Sequence, residues 1–471
     1  MKHVLSKSTF MAGLQCPKRL YLHKFRKDLY PTEVDPQQQA IFDGGHDAGV
    51  LAQQLFPNGI DASPPTPFEY QASVIKTQKY LMTNDVIYEA CFQYEGALCA
   101  IDILVRKDDL WYAFEVKGTN GVKPQHITDA AFQYYVMTKS GLPMGDISIV
   151  HFNRDYVRHG ELDIQTLFTA TSILDKVIEQ QSAVESNISS LMDMVSAKVE
   201  PVIEVGAHCD NPYECPFKEY CWKDVVVPSA PVLSTEASIQ KEPLVEYLEE
   251  FQYPLYYFDF ETVMYGIPKY DESSPWQALP FQYSLYKQKS RHNDWEYAEY
   301  LGDGLTDPRE DLIKQMIHDL GKKGSILAWH AQYEITMLNG LSNNFPQYAK
   351  PIQAIIERMV DLKIPFSKKW IDIPACEGSA SIKKVLPVFI PELSYDDLEI
   401  QEGMTASFVY SQLHLQDEDT QEQQRYQLLQ YCKLDTFAMV KILEKYICYF
   451  NLISCQNPSI ITNKRFNSAK K

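Results

Sequence analysis

The sequence predicts an α/β protein of two domains. Its 471 residues are more than one hydrophobic core usually supports. Segments with strand-like and helix-like patterns alternate in both halves of the chain. A polar, proline-containing stretch at 228–242 separates the halves and is typical of a linker. We therefore expect one domain at 1–227, a linker at 228–242 and a second domain at 243–471.

The first half predicts helices, then a run of strands, then a helix and a last strand. Two short turns separate the first three strands, which indicates an antiparallel meander. The predicted helices are 8–27, 37–56 and 124–140. The predicted strands are 86–95, 97–105, 110–117 and 146–153. This order predicts an α/β core on a mixed sheet.

The second half opens on a strongly apolar strand and is again α/β. Its predicted strands are 255–261, 281–286, 295–300 and 325–329. Its predicted helices include 307–320 and a long last one at 419–447.

Composition limits the functional classes. A net charge of −18 argues against coating nucleic acid by bulk electrostatics, although it allows an acidic metal-dependent active site. Basic residues crowd the first thirty positions and predict either a phosphate-facing patch or a solvated face: Lys2, Lys7, Lys18, Arg19, Lys24, Arg26 and Lys27. No stretch reaches the ~20 apolar residues of a membrane span, and the start lacks a signal-peptide pattern. We expect a soluble, cytoplasmic protein without a membrane partner.

Two acids and a lysine mark a first candidate site. Glu115 and Lys117 end a predicted strand and share one face, because side chains two apart point the same way. Asp102 lies on the preceding strand. Carboxylates bind Mg²⁺ or Mn²⁺, and a lysine can orient the attacking water or stabilise the charge that develops in phosphodiester hydrolysis. Surrounding apolar residues make these charges costly unless they are compensated.

Four cysteines form a pattern across this domain. Cys16 lies near its start, and Cys209, Cys215 and Cys221 lie near its end. Without an export signal they do not predict disulfides, whereas four thiolates bind an iron–sulfur cluster or zinc. Three unligated cysteines in a loop are the alternative. The other cysteines are expected to be buried small residues: Cys91, Cys99, Cys376, Cys432, Cys448 and Cys455.

A second acidic set lies in the second half. Asp259 and Glu261 share one face of the buried strand, which tolerates both acids if they share a cation. Glu334 follows a strand that runs into a helix. Tyr431 and Asp435 are one turn apart on a predicted helix and so share its face.

The segment around Cys16, with Pro17 and Arg19 after it, and the first acidic set resemble a known family. Residues 1–225 resemble the RecB-type nucleases of the PD-(D/E)xK superfamily, in the branch with an iron–sulfur cluster that includes the CRISPR-associated exonuclease and the AddB nuclease domain. The resemblance implies a restriction-endonuclease-like mixed sheet and a [4Fe–4S] cluster on the four cysteines, with zinc as the alternative. It implies metal ligands at His46, Asp102 and Glu115, a catalytic Lys117, and substrate contacts at Arg19, Gln133 and Tyr134.

The second acidic set resembles the three motifs of the DnaQ-like DEDD exonucleases. This resemblance implies a ribonuclease H-like sheet whose carboxylates hold two Mg²⁺ or Mn²⁺ ions. The implied ligands are Asp259, Glu261, Glu334 and Asp435, with Tyr431 bonded to the attacking water. Glu334 stands where that family has an aspartate. The segment from Gly378 to Lys383 resembles one in bacterial fusions of these two modules, and Lys383 either contacts phosphate or belongs to an ordinary capped helix.

These observations predict a metal-dependent DNA exonuclease with two centres that processes single-stranded or duplex ends. Three alternatives stay open. The second domain can be a non-catalytic binding module, its substrate can be RNA, or both centres can be inactive in a metal-clipped interaction protein.

Overall fold

The computed structural model describes residues 4–30, 36–66, 69–223, 238–290 and 295–449. The chain forms two compact units and is α/β with mixed sheets. The first unit is Met1–Val227 together with Tyr265–Gln277, and the second is Pro228–Met264 together with Ala278–Lys471. The segment Tyr265–Gln277 thus belongs to the first unit, although the sequence places it inside the second half.

A mixed sheet of seven strands forms the frame of the first unit. Its strands are β1 Leu5–Ser6, β2 Ile60–Asp61, β3 Val86–Tyr94, β4 Ala97–Lys107, β5 Leu110–Lys117, β6 Met144–Phe152 and β7 Phe168–Ser172. The strand order is β2-β3-β4-β5-β6-β7, and β1 pairs with β4. The meander β3-β4-β5 is antiparallel and β5-β6 is parallel, which confirms the predicted meander and mixed sheet.

Helices cover this sheet. They are α1 Lys7–Gln15, α2 Pro17–Phe25, α3 Pro36–Ala52, α4 Tyr70–Tyr80, α5 Pro124–Lys139, α6 Ile164–Leu167, α7 Leu174–Glu179, α8 Gln181–Ala197 and α9 Lys218–Trp222. Helix α5 packs its apolar face into the core, where Phe132 stacks on Phe10 of α1 with ring centroids 4.6 Å apart. In β5, Trp111, Ala113 and Glu115 are the buried alternate positions, so the strand period carries Glu115 inward.

The predicted helix 8–27 is wrong in one respect, because it is two helices that break at Cys16. Cys16 has extended backbone angles, φ −162° and ψ 118°. The cause is Pro17, since a proline ring disfavours helical angles in the residue before it and itself suits the first turn of a helix. The break leaves Cys16 at the corner between α1 and α2.

A five-stranded mixed sheet forms the frame of the second unit, in the order β11-β10-β9-β12-β13. The strands are β8 Ser238–Ile239, β9 Leu255–Met264, β10 Ala278–Gln288, β11 Trp295–Leu301, β12 Ile326–Ala328, β13 Met359–Asp361 and β14 Ile371–Asp372. Strands β9, β10 and β11 are antiparallel, and β12 is parallel to β9 and β13. The strands predicted for this half are confirmed.

The helices of the second unit are α10 Lys241–Glu249, α11 Arg309–Leu320, α12 Ala331–Asn344, α13 Ala349–Ile356, α14 Ile364–Ser367, α15 Ile382–Phe389, α16 Gly403–Gln412 and α17 Glu418–Tyr449. The predicted helices at 307–320 and 419–447 are therefore confirmed. Of the predicted linker, residues 228–237 lie outside the described residues. Its last positions are regular structure, since β8 pairs with β14 and α10 begins at Lys241.

The two faces of β9 have different neighbours. Tyr256, Phe258 and Phe260 pack into the hydrophobic core that includes residues of α11 and α12. Asp259 and Glu261 alternate with them and therefore point to the other face. Helix α17 lies on that face, because the Thr436 hydroxyl is 2.7 Å from the Ser284 hydroxyl and Ser284 pairs with Asp259 in the sheet.

Gly324 offers a test of this fold. It has φ +95°, and a Cβ at this position would lie 2.1 Å from the Pro254 carbonyl oxygen. We predict that Gly324→Ala destabilises the protein by roughly 1–3 kcal/mol from the backbone angle alone, and by more because backbone must move. The matched control is Gly340→Ala in α12, where a Cβ meets nothing within 4 Å. That change should stabilise by roughly 0.5–1 kcal/mol, since alanine favours a helix interior. Equal urea midpoints for the two variants would contradict this geometry.

Candidate active sites

Glu115 is the centre of the first candidate site. Its side chain is 1% exposed and accepts three hydrogen bonds. Oε1 receives Lys7 Nζ at 2.6 Å and Lys117 Nζ at 2.9 Å, and Oε2 receives Gln133 Nε2 at 2.7 Å. Lys117 Nζ also donates to Asp129 Oδ2 at 2.7 Å. Residues of α1, β5 and α5 therefore meet at one buried carboxylate.

Two more carboxylates lie beside Glu115 on the same sheet. Asp102 of β4 accepts the Val116 N–H at 2.6 Å. Glu89 of β3 lies opposite Asp102, because Tyr88 pairs with Ile103 and Ala90 with Ile101. Glu89 has φ +54°, an angle that costs a non-glycine residue free energy and that interrupts the regular pairing here.

His46 lies near this set, on the exposed side of α3. Its helix approaches the end of β5 closely, since a Cβ on Gly118 would lie 3.8 Å from Gly45 Cα. His46 also lowers the pKa of Glu89 electrostatically, although burial and Glu115 raise it to about 6 overall. Among the described residues, the donor atoms of His46, Asp102 and Glu115 do not lie within 4.8 Å of one another. The structure thus brings the predicted ligands to one region without closing them into a compact set.

Gln133 and Tyr134, predicted to contact substrate, have different surroundings. The Gln133 side chain is fully buried, and its amide also donates to the Ala100 carbonyl at 2.8 Å. It therefore fixes Glu115 from the protein side. Tyr134 is partly buried against the hydrophobic core. Arg19, the third predicted contact, donates to Gln15 and lines the cavity of the four cysteines.

In the first site, the neighbouring charges shift the pKa values of Glu115 and Lys117 in the direction opposite to burial. Burial alone would raise the pKa of Glu115, but Lys117 and Lys7 hold it below its ordinary value. Burial and the neighbouring Glu115 raise the pKa of Asp102. Burial would lower the pKa of Lys117, but the Glu115 carboxylate outweighs burial and raises this pKa. The ammonium therefore stays charged. At neutral pH the pair Glu115 and Lys117 is therefore ionised.

The second candidate site collects four acids from three elements. Asp259 and Glu261 come from β9, Glu334 from the first turn of α12, and Asp435 from α17. Glu261, Glu334 and Asp435 are each less than a tenth exposed. Glu334 accepts the backbone N–H of Phe260, which places it at the strand that carries the first two acids. The four predicted acids therefore come to one region, with glutamate at the position of the second motif, and of these acids Asp259 and Glu261 belong to a compact set of donors within 4.8 Å.

Two tyrosines and a lysine line this site. Tyr395 donates to Asp435 Oδ1 at 2.5 Å, and Tyr431 also donates to Asp435. Lys383 Nζ lies 5.3 Å from the Tyr431 ring centre and 5.4 Å from that of Tyr395, and it donates to the Gln401 carbonyl. Its charge lowers the pKa values of Asp259, Glu261 and Asp435. Lys383 thus lies beside the acidic site, and its contact with a phosphate stays a prediction.

Cys432 is also part of this site. Its sulfur and one carboxylate oxygen each of Asp259 and Glu261 lie within 4.8 Å of one another. The thiol lies 3.8 Å from the Asp259 carbonyl oxygen, its acceptor, and is fully buried. Cys432 is buried, as predicted, but the prediction did not place it beside the acids of the second site.

The pKa values of all four acids of the second site are raised. Burial is the largest cause for each, and repulsion from the other carboxylates adds to it for Asp259 and Glu261. Burial raises the pKa of Glu334 to about 8 and that of Asp435 to about 6. Such a group holds protons in the absence of a cation and releases them when a cation binds.

The donors of both sites fit hard divalent cations. Within the described ranges, Glu334 Oε2 is a buried carboxylate oxygen without a hydrogen-bond donor, which a cation would satisfy. Carboxylate oxygens are the ligands that Mg²⁺ and Mn²⁺ prefer. Asp259, Glu261, Glu334 and Asp435 would hold the ions in the second site, and Asp102 and Glu115 in the first.

The four predicted cysteines lie around one narrow cavity, together with Lys18 and Arg19. All four are free thiols. Gln15 ties the two ends of the unit together here, since its amide donates to the carbonyls of His208 at 2.8 Å and Tyr213 at 2.7 Å. Burial raises the pKa values of Cys215 and Cys221, and the other thiols add to this.

A zinc site and a four-iron cluster require different distances between the cysteine sulfur atoms. In the described chain no three of them lie within 4.8 Å of one another. One zinc ion with Zn–S bonds of about 2.3 Å draws its sulfurs to roughly 3.8 Å apart. A four-iron cluster is larger and takes one thiolate on each iron. The sulfur atoms are thus farther apart than in a closed four-cysteine zinc site, and the identity of the metal stays a prediction.

Several residues of these sites were not predicted as such: Lys7, Glu89, Asp129, Tyr395 and Cys432. Glu89 had a usable signal, an acid inside an apolar strand next to the strand of Asp102. Lys7 was noted only as one of a basic run, and Asp129 as part of a helix. Tyr395 is 40 positions from Asp435, the acid that it contacts, and no spacing reveals such a pair.

In comparisons with known proteins, one family model matches part of the chain. A family model described as a domain of unknown function (DUF2779) matches residues 256–381, which include Asp259, Glu261 and Glu334. The chain is 29% identical over 206 residues to the "Uncharacterized protein MG366 homolog" of Mycoplasma pneumoniae. It is 26% identical over 207 residues to "Uncharacterized protein MG366" of Mycoplasma genitalium. Each match covers 40% of this chain and 31% of the relative, so the chain spans about a third of these relatives' length.

A third relative is "Uncharacterized protein UU173" of Ureaplasma parvum, 27% identical over 169 residues that make up 31% of this chain and 24% of that protein. Separately, none of the helices described here combines the length and apolarity needed to cross a membrane.

The raised carboxyl pKa values predict a pH-dependent stability. The pKa of Glu334 is about 8 in the folded protein against 4.5 ordinarily, so its protonation stabilises the fold below about pH 4.5 and this contribution is lost as pH rises through 8. In EDTA, Tm should fall between pH 5 and pH 8. Glu334→Gln should raise Tm at pH 8 by roughly 2–4 °C for each kcal/mol of repulsion removed, with less effect at pH 5.

The control is Glu249→Gln, on the exposed end of α10, which should leave the difference between the two pH values unchanged. Calorimetry at both pH values measures it. A wild-type Tm that rises toward pH 8 in EDTA would contradict the assignment of Glu334 to a repulsive buried set.

Proposed function

We propose that the protein is a metal-dependent nuclease with a phosphodiester-hydrolysing centre in each unit, and that it processes DNA ends. The observation that carries this proposal is that each unit gathers carboxylates, largely buried, around its sheet beside a group that can orient water. That group is Lys117 in the first unit and Tyr431 in the second. The resemblances in sequence support a restriction-endonuclease-like fold for the first unit and a ribonuclease H-like fold for the second.

In the first centre, Asp102 and Glu115 would hold Mg²⁺ or Mn²⁺, and His46 and Glu89 lie in the same region of the unit. The cation, when bound, stabilises the negative charge of the attacked phosphate. Lys117 donates a hydrogen bond to the attacking water or to the phosphate oxygen, and Asp129 and Glu115 hold its ammonium in that position. Gln133 keeps Glu115 from rotating, because its amide occupies Oε2.

In the second centre, Asp259, Glu261, Glu334 and Asp435 would hold divalent cations, which would supply positive charge to the phosphate under attack. Tyr431 orients the attacking water by its hydroxyl, and Tyr395 holds Asp435 in place. Lys383 provides a positive charge for a phosphate of the bound strand. Glu334 reaches the acidic set in this structure, which supports an active second centre over a purely binding role.

The four cysteines hold a [4Fe–4S] cluster with a structural role. Cys16 lies between the first two helices of the unit, and Cys209, Cys215 and Cys221 lie at its other end in sequence. A shared cluster closes a loop of about 200 residues, and such a link restricts the unfolded chain more than the folded one.

Separate activities are the first prediction of this proposal. Lys117→Ala and Asp259→Ala should each remove one product ladder from end-labelled DNA, with a loss of about 100-fold or more in that activity, because each removes a group that acts on the reacting phosphate. Single- and double-stranded DNA and RNA are compared with Mg²⁺ or Mn²⁺. The control is Lys139→Ala, whose exposed ion pair with Glu185 lies outside both centres.

Each outcome of this assay has a meaning. Unchanged cutting in both variants and in the double variant would refute two catalytic centres. If Lys117→Ala alone abolishes cutting, the second unit is a binding module, and cleavage of RNA alone by the second centre would change its substrate class.

Iron content tests the cluster. Anaerobically purified wild type should contain about four iron and four sulfide per chain, and Cys16→Ser and Cys215→Ser should lose most of both. The control is Cys376→Ser, a buried cysteine of the second unit that should keep its iron. One zinc ion and no sulfide per wild-type chain would show that the four cysteines bind zinc and not a cluster.

A further inference from the structure

Lys7 lies in the first centre and not on a solvated face. Its ammonium is 2.6 Å from Glu115 Oε1 and 3.7 Å from Asp129 Oδ2. Lys117 contacts the same two oxygens at 2.9 and 2.7 Å. Two lysines and two acids therefore alternate in a closed ring. The Lys7 side chain is 30% exposed and that of Lys117 20%.

Local structure fixes the backbone of Lys7. Strand β1 pairs with β4 in parallel, Leu5 with Ala97 and Ser6 with Leu98, directly before Lys7. Ser6 then caps α1, since its hydroxyl accepts the Thr9 N–H and the Thr9 hydroxyl accepts the Ser6 N–H. Lys24 binds the Val4 carbonyl on the other side. The first helix position is thus anchored to the sheet strand that carries Asp102.

This arrangement has an electrostatic consequence for any cation on Glu115. A fixed ammonium within hydrogen-bond distance of a metal ligand repels the metal and at the same time keeps the ligand ionised and oriented. Lys117 contacts the same two acids. It lies on the strand of Glu115, whereas Lys7 comes from a separate helix.

We propose that Lys7 is a positioning residue of the first centre, which holds Glu115 and Asp129 in the arrangement that aims Lys117 and which weakens the binding of the divalent cation. The proposal rests on the nuclease function proposed for this centre. It assigns a site role to one residue of the N-terminal basic run, whereas a structural lysine would have no effect on metal affinity except through loss of folding.

Metal binding and hydrolysis are measured together to test this role. Lys7→Met and Lys7→Arg are made in a background with Asp259→Ala and Glu261→Ala, so that Mn²⁺ titrated by calorimetry reports mainly on the first centre. Lys7→Met should bind Mn²⁺ roughly 3- to 10-fold more tightly, because a repelling charge is gone. Its turnover of DNA should nevertheless fall at least about 10-fold, because Glu115 and Lys117 lose a fixed partner.

Lys7→Arg keeps the charge and should retain wild-type Mn²⁺ affinity, with hydrolysis between that of wild type and Lys7→Met. Lys139→Met is the control for a surface lysine and should alter neither quantity. Thermal unfolding of each variant identifies any loss of folding, and in that case Lys7→Arg alone decides the question.

Weaker or unchanged Mn²⁺ binding in Lys7→Met would overturn the proposed effect on the metal, and unchanged turnover would overturn the positioning role. If wild type itself cuts neither DNA nor RNA, the nuclease proposal fails. The Mn²⁺ titrations would still show whether Lys7 opposes a cation at Glu115, so the two failures are distinguishable.

Discussion

The burial of the Glu115 carboxylate is the constraint on which the first unit depends. An ionised acid with 1% exposure costs several kcal/mol unless partners compensate it. The compensation comes from three directions: Lys7 at the start of α1, Lys117 on the same strand, and Gln133 inside α5. Lys7 and Gln133 thereby fix the helices α1 and α5 against the sheet. The packing that buries Glu115 and the bonds that compensate its charge are therefore one arrangement, and neither exists without the other.

The second unit meets the same constraint in a different way. Its acids face Lys383 and the hydroxyls of Tyr395 and Tyr431, so in the described part of this site positive charge is scarce relative to four carboxylates. Burial and mutual repulsion then raise the carboxyl pKa values, whereas in the first centre lysines lower that of Glu115. In the first centre, two lysines thus keep Glu115 ionised, although the pKa values of Asp102 and Glu89 are raised there too. In the described part of the second centre, Lys383 faces four acids, so protons or bound cations have to balance their charge.

Strand and helix patterns were sufficient to predict most of the fold and the acids. Apolar runs located β3, β4, β5 and β9, and a period of two told which face Asp259, Glu261 and Glu115 take. The residue pairs that complete the sites could not be predicted from the sequence, because they join positions far apart in the chain. Lys7 meets Glu115 across 108 positions and Tyr395 meets Asp435 across 40. The break at Cys16 had a local cause, Pro17, whose effect on the preceding residue the helical pattern concealed.

The boundary between the two units also could not be predicted fully from local sequence patterns. A linker is recognised by its composition, but Tyr265–Gln277 returns to the first unit from beyond it. There Arg158 donates to the Pro268 and Lys269 carbonyls, and the Trp276 indole donates to the Gly118 carbonyl at 2.8 Å. Gly118 follows Lys117, so this segment supports the backbone that carries the lysine of the first centre. A first domain that ended at residue 227 would lack this support, because its hydrogen-bond partners would be left unsatisfied. The first unit is thus discontinuous in sequence, and the backbone after the strand of Glu115 and Lys117 is held by residues that lie after the linker.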